Sequence, residues 1–117
     1  MERDSFLVAS SERGRIAFSA DAVAQLVGAA AAESYGVVAL AGRGWLSRLV
    51  PWGIKRGVDV ELREDGLAVE VRVVVEHGLK VAEVAEATRQ RVLYELERMV
   101  GLPIASLEVR VQGVRSR

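Results

Sequence analysis

His77 is the chain's only histidine. It is also the one side chain whose ordinary pKa lies near neutrality, which makes it the first candidate for a general base. Glu76 beside it would be the natural partner. The pair closes an alternating run, however, and adjacent residues at a strand end point to opposite faces, so the two are not expected to meet. A histidine in the turn between a strand and a helix is the plainer reading. No serine lies in a G-x-S-x-G elbow. No G-x-x-x-x-G-K-[ST] phosphate loop is present, and Gly42-Arg43-Gly44 is too short and lacks its context. The chain has no cysteine, which excludes disulfides, iron–sulfur clusters, thiolate zinc sites and cysteine nucleophiles. A single histidine excludes a three-histidine metal site within one chain. Carboxylates are spread over polar faces, where solvated surface is their usual role. The expectation is a non-enzyme with no catalytic residue, no metal site and no cofactor.

The segment from Arg43 to Gly57 is chemically unlike the rest. It holds both tryptophans, Trp45 and Trp52, and four cations, Arg43, Arg48, Lys55 and Arg56, with no acid. Residues 45–50 have room for little more than a turn and a half of helix before Pro51 stops it. A loop this long without structure of its own is often functional. Three roles fit its composition. The tryptophans could cap one end of the core while the cations stay solvated. They could anchor a docked protein. The basic residues interleaved with aromatics could meet an anionic surface, lipid headgroups or nucleic acid, in a contact that weakens steeply with salt. Arg43, Trp45, Arg48, Trp52, Lys55 and Arg56 are therefore the candidate contact residues.

The elements that must carry this loop are legible from periodicity. Residues 1–13 show no sustained period, which predicts a flexible tail. Arg15 to Phe18 alternates, with Ile16 and Phe18 toward a core. Ser19 is a plausible N-cap for a helix over 20–34, whose stripe is Val23, Leu26, Val27, Ala30 and Ala31. Its many alanines suit close packing on something flat, such as a sheet. Val37 to Ala41 reads as a short strand. Val58, Val60 and Leu62 alternate with polar residues, Asp65-Gly66 marks a hairpin turn, and Leu67 to Val75 gives the cleanest alternation in the chain. A second helix follows, with Val81, Val84, Ala85, Thr88, Val92, Leu96 and Met99 as its stripe, a poor N-cap in Lys80, and Gly101 and Pro103 at its end. Leu107, Val109 and Val111 then alternate with polar residues in a last strand. The order strand-helix-strand-strand-strand-helix-strand, with one-sided strands and one-sided helices, predicts an α+β two-layer sandwich. In it a largely antiparallel sheet is covered by two helices on one face. Residues 14–114 are expected to form this domain, ahead of a short basic tail over 115–117.

The 117 residues suit one domain with a real core, and 50% hydrophobic content argues against disorder. Sixteen basic residues balance sixteen acidic ones. The loop takes four of the cations and none of the acids, so zero net charge conceals a basic loop on an acidic remainder. No apolar stretch approaches the ~20 residues that span a bilayer, and the first residues lack a signal-peptide pattern, so a cytoplasmic protein is expected. Asn is absent and Arg outnumbers Lys by fourteen to two, a bias that suits a thermophile or a GC-rich genome.

Several short runs together resemble the alkaline shock proteins, a family of bacterial envelope stress response proteins. They are Gly14-Arg15-Ile16, Gly57-Val58-Asp59-Val60-Glu61, Val74-Val75-Glu76-His77-Gly78, Val81-Ala82-Glu83-Val84-Ala85, Met99-Val100-Gly101-Leu102 and Val109-Arg110-Val111-Gln112-Gly113-Val114. Their order and spacing carry the likeness over about residues 14–114. The resemblance implies a small non-enzymatic protein of cell-envelope homeostasis, without catalytic residues. It also implies that some members are held at the membrane by a partner with transmembrane segments, and that some influence lipid or fatty-acid metabolism. The expected role is that of an adaptor or scaffold, self-associating, with a membrane-anchored partner protein and only indirect or weak membrane contact at the inner face. A small nucleic-acid-binding module using the basic Trp loop is the alternative, although no G-x-x-G clamp or paired sheet aromatics accompany it. Regulation of lipid metabolism is a second alternative. The exposed sheet face and the Trp loop are the candidate contact surfaces.

Overall fold

A computed structural model describes residues 6–11, 13–41 and 57–116. It confirms the α+β sandwich, with one strand more than expected. Phe6–Ser11 (β1) pairs antiparallel with Gly14–Ser19 (β2), Ser11 opposite Gly14, as a separate two-stranded sheet. The flexible tail expected over 1–13 is thus corrected at Phe6–Ser11. The run Phe6-Leu7-Val8-Ala9 does not alternate, so its strand character comes from pairing with β2 rather than from its own pattern. The side chains of Ile16 and Phe18 lie outside those described.

Ser19 then caps α1 (Ala20–Ala32), its hydroxyl accepting from the Asp21 and Ala22 N–H groups at 3.1 and 3.3 Å. Val23, Ala24, Val27, Ala30 and Ala31 are buried. The small residues let the helix lie close: a Cβ on Gly28 would sit 3.4 Å from Leu40.

The main sheet is built on β5 (Gly66–Glu76). One edge of β5 is shared by two strands, β3 (Val37–Leu40) toward its C-terminal end and β4 (Val58–Arg63) along its N-terminal half, both antiparallel. The β4–β5 connection is a tight hairpin in which Arg63 faces Gly66, so its two loop residues are Glu64 and Asp65, one position earlier than the turn expected at Asp65-Gly66. Gly66 is instead fixed by crowding, because a Cβ there would collide with the Pro103 carbonyl at a φ of 133°.

The other edge of β5 takes β6 (Ile104–Arg115) in parallel. A strand–helix–strand crossover enforces that direction: α2 (Val81–Met99) carries the chain back to the end where β5 began. The other two pairings of the main sheet, β3–β5 and β4–β5, are antiparallel. Both helices pack on one face, that of Leu67, Val69, Val71, Val73 and Val75, each no more than 2% exposed. In α2 the buried stripe is Val84, Thr88, Val92 and Leu96. Val81 and Met99, expected in it, are exposed, because the stripe runs at four-residue steps and leaves the helix ends outside it. Lys80 makes no side-chain cap, as its type predicts.

Candidate binding surface

With both helices on one face, the opposite face of the main sheet carries its polar alternates. Register sets them in rows. Asp59, Glu70 and Glu108 lie side by side across β4, β5 and β6, and in the next row Arg72 lies beside Arg110. Like charges directly opposite repel, so neither row is favourable alone. The rows neutralise each other instead. The Arg72 guanidinium donates to Asp59 at 2.7 Å and lies 3.5 Å from Glu70. Arg110 bridges Glu70 and Glu108, the latter at 3.2 Å, so Glu70 joins the two arginines. Arg63 holds Glu61 at 3.3 Å. Arg72 is only 9% exposed, and the carboxylates around its guanidinium offset the cost of taking that charge out of water.

Where Ala68 lies between Glu61 and Ser106 the small side chain leaves a depression of about 170 Å³, bordered by Asp59, Glu70 and Glu108. Among the described residues no group of three or more His, Cys, Asp or Glu is arranged to hold a metal ion. His77 lies outside the depression, in the exposed turn after β5, its N–H donating to the Arg115 carbonyl at 2.9 Å. The turn role read from sequence is the one it takes. On α2 the exposed Glu86 carboxyl is held below its ordinary value, chiefly by the hydrogen bond from Arg89, then by that from Gln90. This is a surface pair on the wet side of a helix.

The sequence-derived contact residues Arg43, Trp45, Arg48, Trp52, Lys55 and Arg56 lie outside the described residues. The two residues that root their loop do not. The Ala41 N–H donates to the Arg72 carbonyl at 2.9 Å, and the Arg72 N–H donates to the Gly57 carbonyl at 2.8 Å. Both roots therefore attach to a single residue of β5. They also touch: a Cβ on Gly57, whose φ is +82°, would lie 2.7 Å from the Ala41 carbonyl oxygen. Residues 42–56 thus leave and re-enter the sheet at one point on its edge, between β3 and β4.

The matched profile of one protein family, described by a cell envelope-related function, spans residues 8–116. The chain belongs to that family, the alkaline shock protein 23 family. Among its relatives are the uncharacterized proteins YloU of Bacillus subtilis, 31% identical over 87% of this chain and 89% of that protein, and Spy1614 of Streptococcus pyogenes serotype M6, 32% identical over 91% and 92%. YqhY of B. subtilis is 26% identical over 87% and 78%. The fold is also similar to solved structures of the MamM CTD. A manganese form of a substituted MamM CTD superposes with a TM-score of 0.55 at 18% identity, covering 83% of this chain and 98% of that one. A second substituted form gives a TM-score of 0.55 over 80% and 93%. At such identity the likeness is one of fold. This family member shows no helix, among its described residues, long and apolar enough to cross a membrane.

Sequence reasoning did not single out Glu70, Arg72, Glu108 and Arg110. The signal was present as a repeated triplet: Glu70-Val71-Arg72 on β5 and Glu108-Val109-Arg110 on β6 are matched residue for residue in the parallel register.

Proposed function

We propose that the protein is a non-enzymatic adaptor or scaffold of the bacterial cell envelope. It acts by protein–protein contacts, with copies of itself and with a membrane-anchored partner, on the cytoplasmic side of the membrane. The observation that carries this reading is the one-sided sheet. Both helices bury their stripes on one face, and neither the opposite face nor the outer edge of β6 is covered by another element among the described residues. The side chains of that face pair with one another rather than converge on a reacting centre. The envelope-related family supplies the setting.

In this reading the loop over residues 42–56 is the partner-specific part. Trp45 and Trp52 are its anchors, and Arg43, Arg48, Lys55 and Arg56 set its charge. Its roots at Ala41 and Gly57 fix it to the sheet edge, so contacts made there are referred to a rigid frame. The open face favours a protein partner over nucleic acid. Its arginines are engaged by carboxylates, and β4, β5 and β6 contain no aromatic residue on which a base would stack.

The test is affinity capture from the envelope fraction of the source bacterium, comparing wild type with the Trp45→Ala/Trp52→Ala variant. The expected result is one membrane-protein partner retained by wild type and lost by the variant. An unchanged set of captured proteins would return both tryptophans to a purely structural role.

A further inference from the structure

The outer edge of β6 is twelve residues long, and no strand pairs with it among the described residues. Exposed edges of that length are usually blunted by proline, lysine or a covering element. The strand Ile104–Arg115 contains neither proline nor lysine. Its helix-side residues Leu107, Val109 and Val111 are only partly buried, because α2 covers them from above and no strand among the described residues lies beyond them. Its open-face residues Glu108 and Arg110 have side chains 57% and 56% exposed.

We propose that this edge pairs with the same edge of a second copy, antiparallel, with the two-fold axis at Val109. The proposal deepens the self-association part of the reading above and rests on it. Register selects the axis. Centred on Val109, the pairing sets Glu108 opposite the partner's Arg110, and Arg110 opposite the partner's Glu108. On the helix side it sets Leu107 opposite the partner's Val111, closing the row that α2 leaves half covered. Moving the axis one residue either way brings Glu108 onto its own copy, or Arg110 onto its own copy, and like charges directly opposite are unfavourable. The triplet Glu108-Val109-Arg110 is thus self-complementary when read antiparallel. An axis perpendicular to the sheet keeps both helix layers on one side and both charged faces on the other, giving one continuous sheet across the pair. Register irregularities at Ala105 and at Gln112, where Ala68 pairs with Ser106 and Val74 with Gly113, confine the regular pairing to about the stretch 106–111.

The experiment is sedimentation velocity on the full chain. Wild type should form dimers. Glu108→Arg should raise the dimer dissociation constant at least about tenfold, and Glu108→Gln should do so less, since it removes attraction without adding repulsion. An equimolar mixture of Glu108→Arg and Arg110→Glu should form heterodimers, because one chain then offers two cations to the other's two anions. Arg110→Glu also places a carboxylate beside Glu70. Thermal unfolding of each variant is therefore recorded, and if Arg110→Glu melts early the Glu108 series decides. A wild-type dimer indifferent to Glu108→Arg would overturn the edge assignment while leaving self-association standing. A mixture no more associated than its components would overturn the register. A monomeric wild type would remove self-association itself and this pairing with it.

Discussion

Arg72 is where several constraints meet. Its backbone holds both roots of the loop through Ala41 and Gly57, and its side chain ties the acidic row of the sheet together. A buried arginine contributes through its aliphatic stem as well as its charge. Arg72→Ala removes both and is expected to lower stability by about 2–3 kcal/mol, whereas Arg72→Met keeps the stem and should lose less. Chemical denaturation of the two variants checks the ordering, and equal losses would show that the charge alone matters. The pairing of Arg72 with Asp59 was not legible from sequence. Alternation assigns both residues to the polar face, but only register brings residues thirteen apart within 2.7 Å. His77 was legible, because the parity of a strand end already separates it from Glu76.

The elements themselves were read well wherever a local signal existed. Ser19 capped α1 as its type requires, and the alternation of β5 produced the buried row from Leu67 to Val75. Two features escaped for one physical reason, that the partner of an element is not written in its own sequence. β1 has an apolar run without alternation and becomes a strand by pairing with β2. β3 and β4 share one edge of β5, which periodicity cannot express. The basic, Trp-bearing segment over 42–56 stands out by composition and lies outside the described residues; only its attachment at Ala41 and Gly57 adds to what the sequence said. The stripe of α2 offers a direct check. Leu96 is fully buried and Met99 is exposed, although the spacing groups them together. Leu96→Ala should cost about 2–5 kcal/mol. Met99→Ala should stay within about 0.5 kcal/mol of wild type, as surface substitutions do. Comparable thermal shifts for the two would place the stripe incorrectly.

At the scale of the molecule, the zero net charge separates into a basic loop and a remainder whose cations are largely engaged. The arginines of the sheet face are paired with its carboxylates, and the sequence concentrates Arg43, Arg48, Lys55 and Arg56 in one acid-free segment. The proposed reading places two kinds of contact on the two edges of β5: docking at the loop rooted between β3 and β4, and self-association at β6. An adaptor needs both, since one gathers copies and the other addresses them. The central claim, that the molecule works by assembling, is tested most directly by light scattering of the wild-type chain from micromolar to near-millimolar concentration. The account predicts a weight-average mass that rises with concentration from 12.7 kDa toward at least twice that value. A mass fixed at 12.7 kDa over the whole range would contradict it.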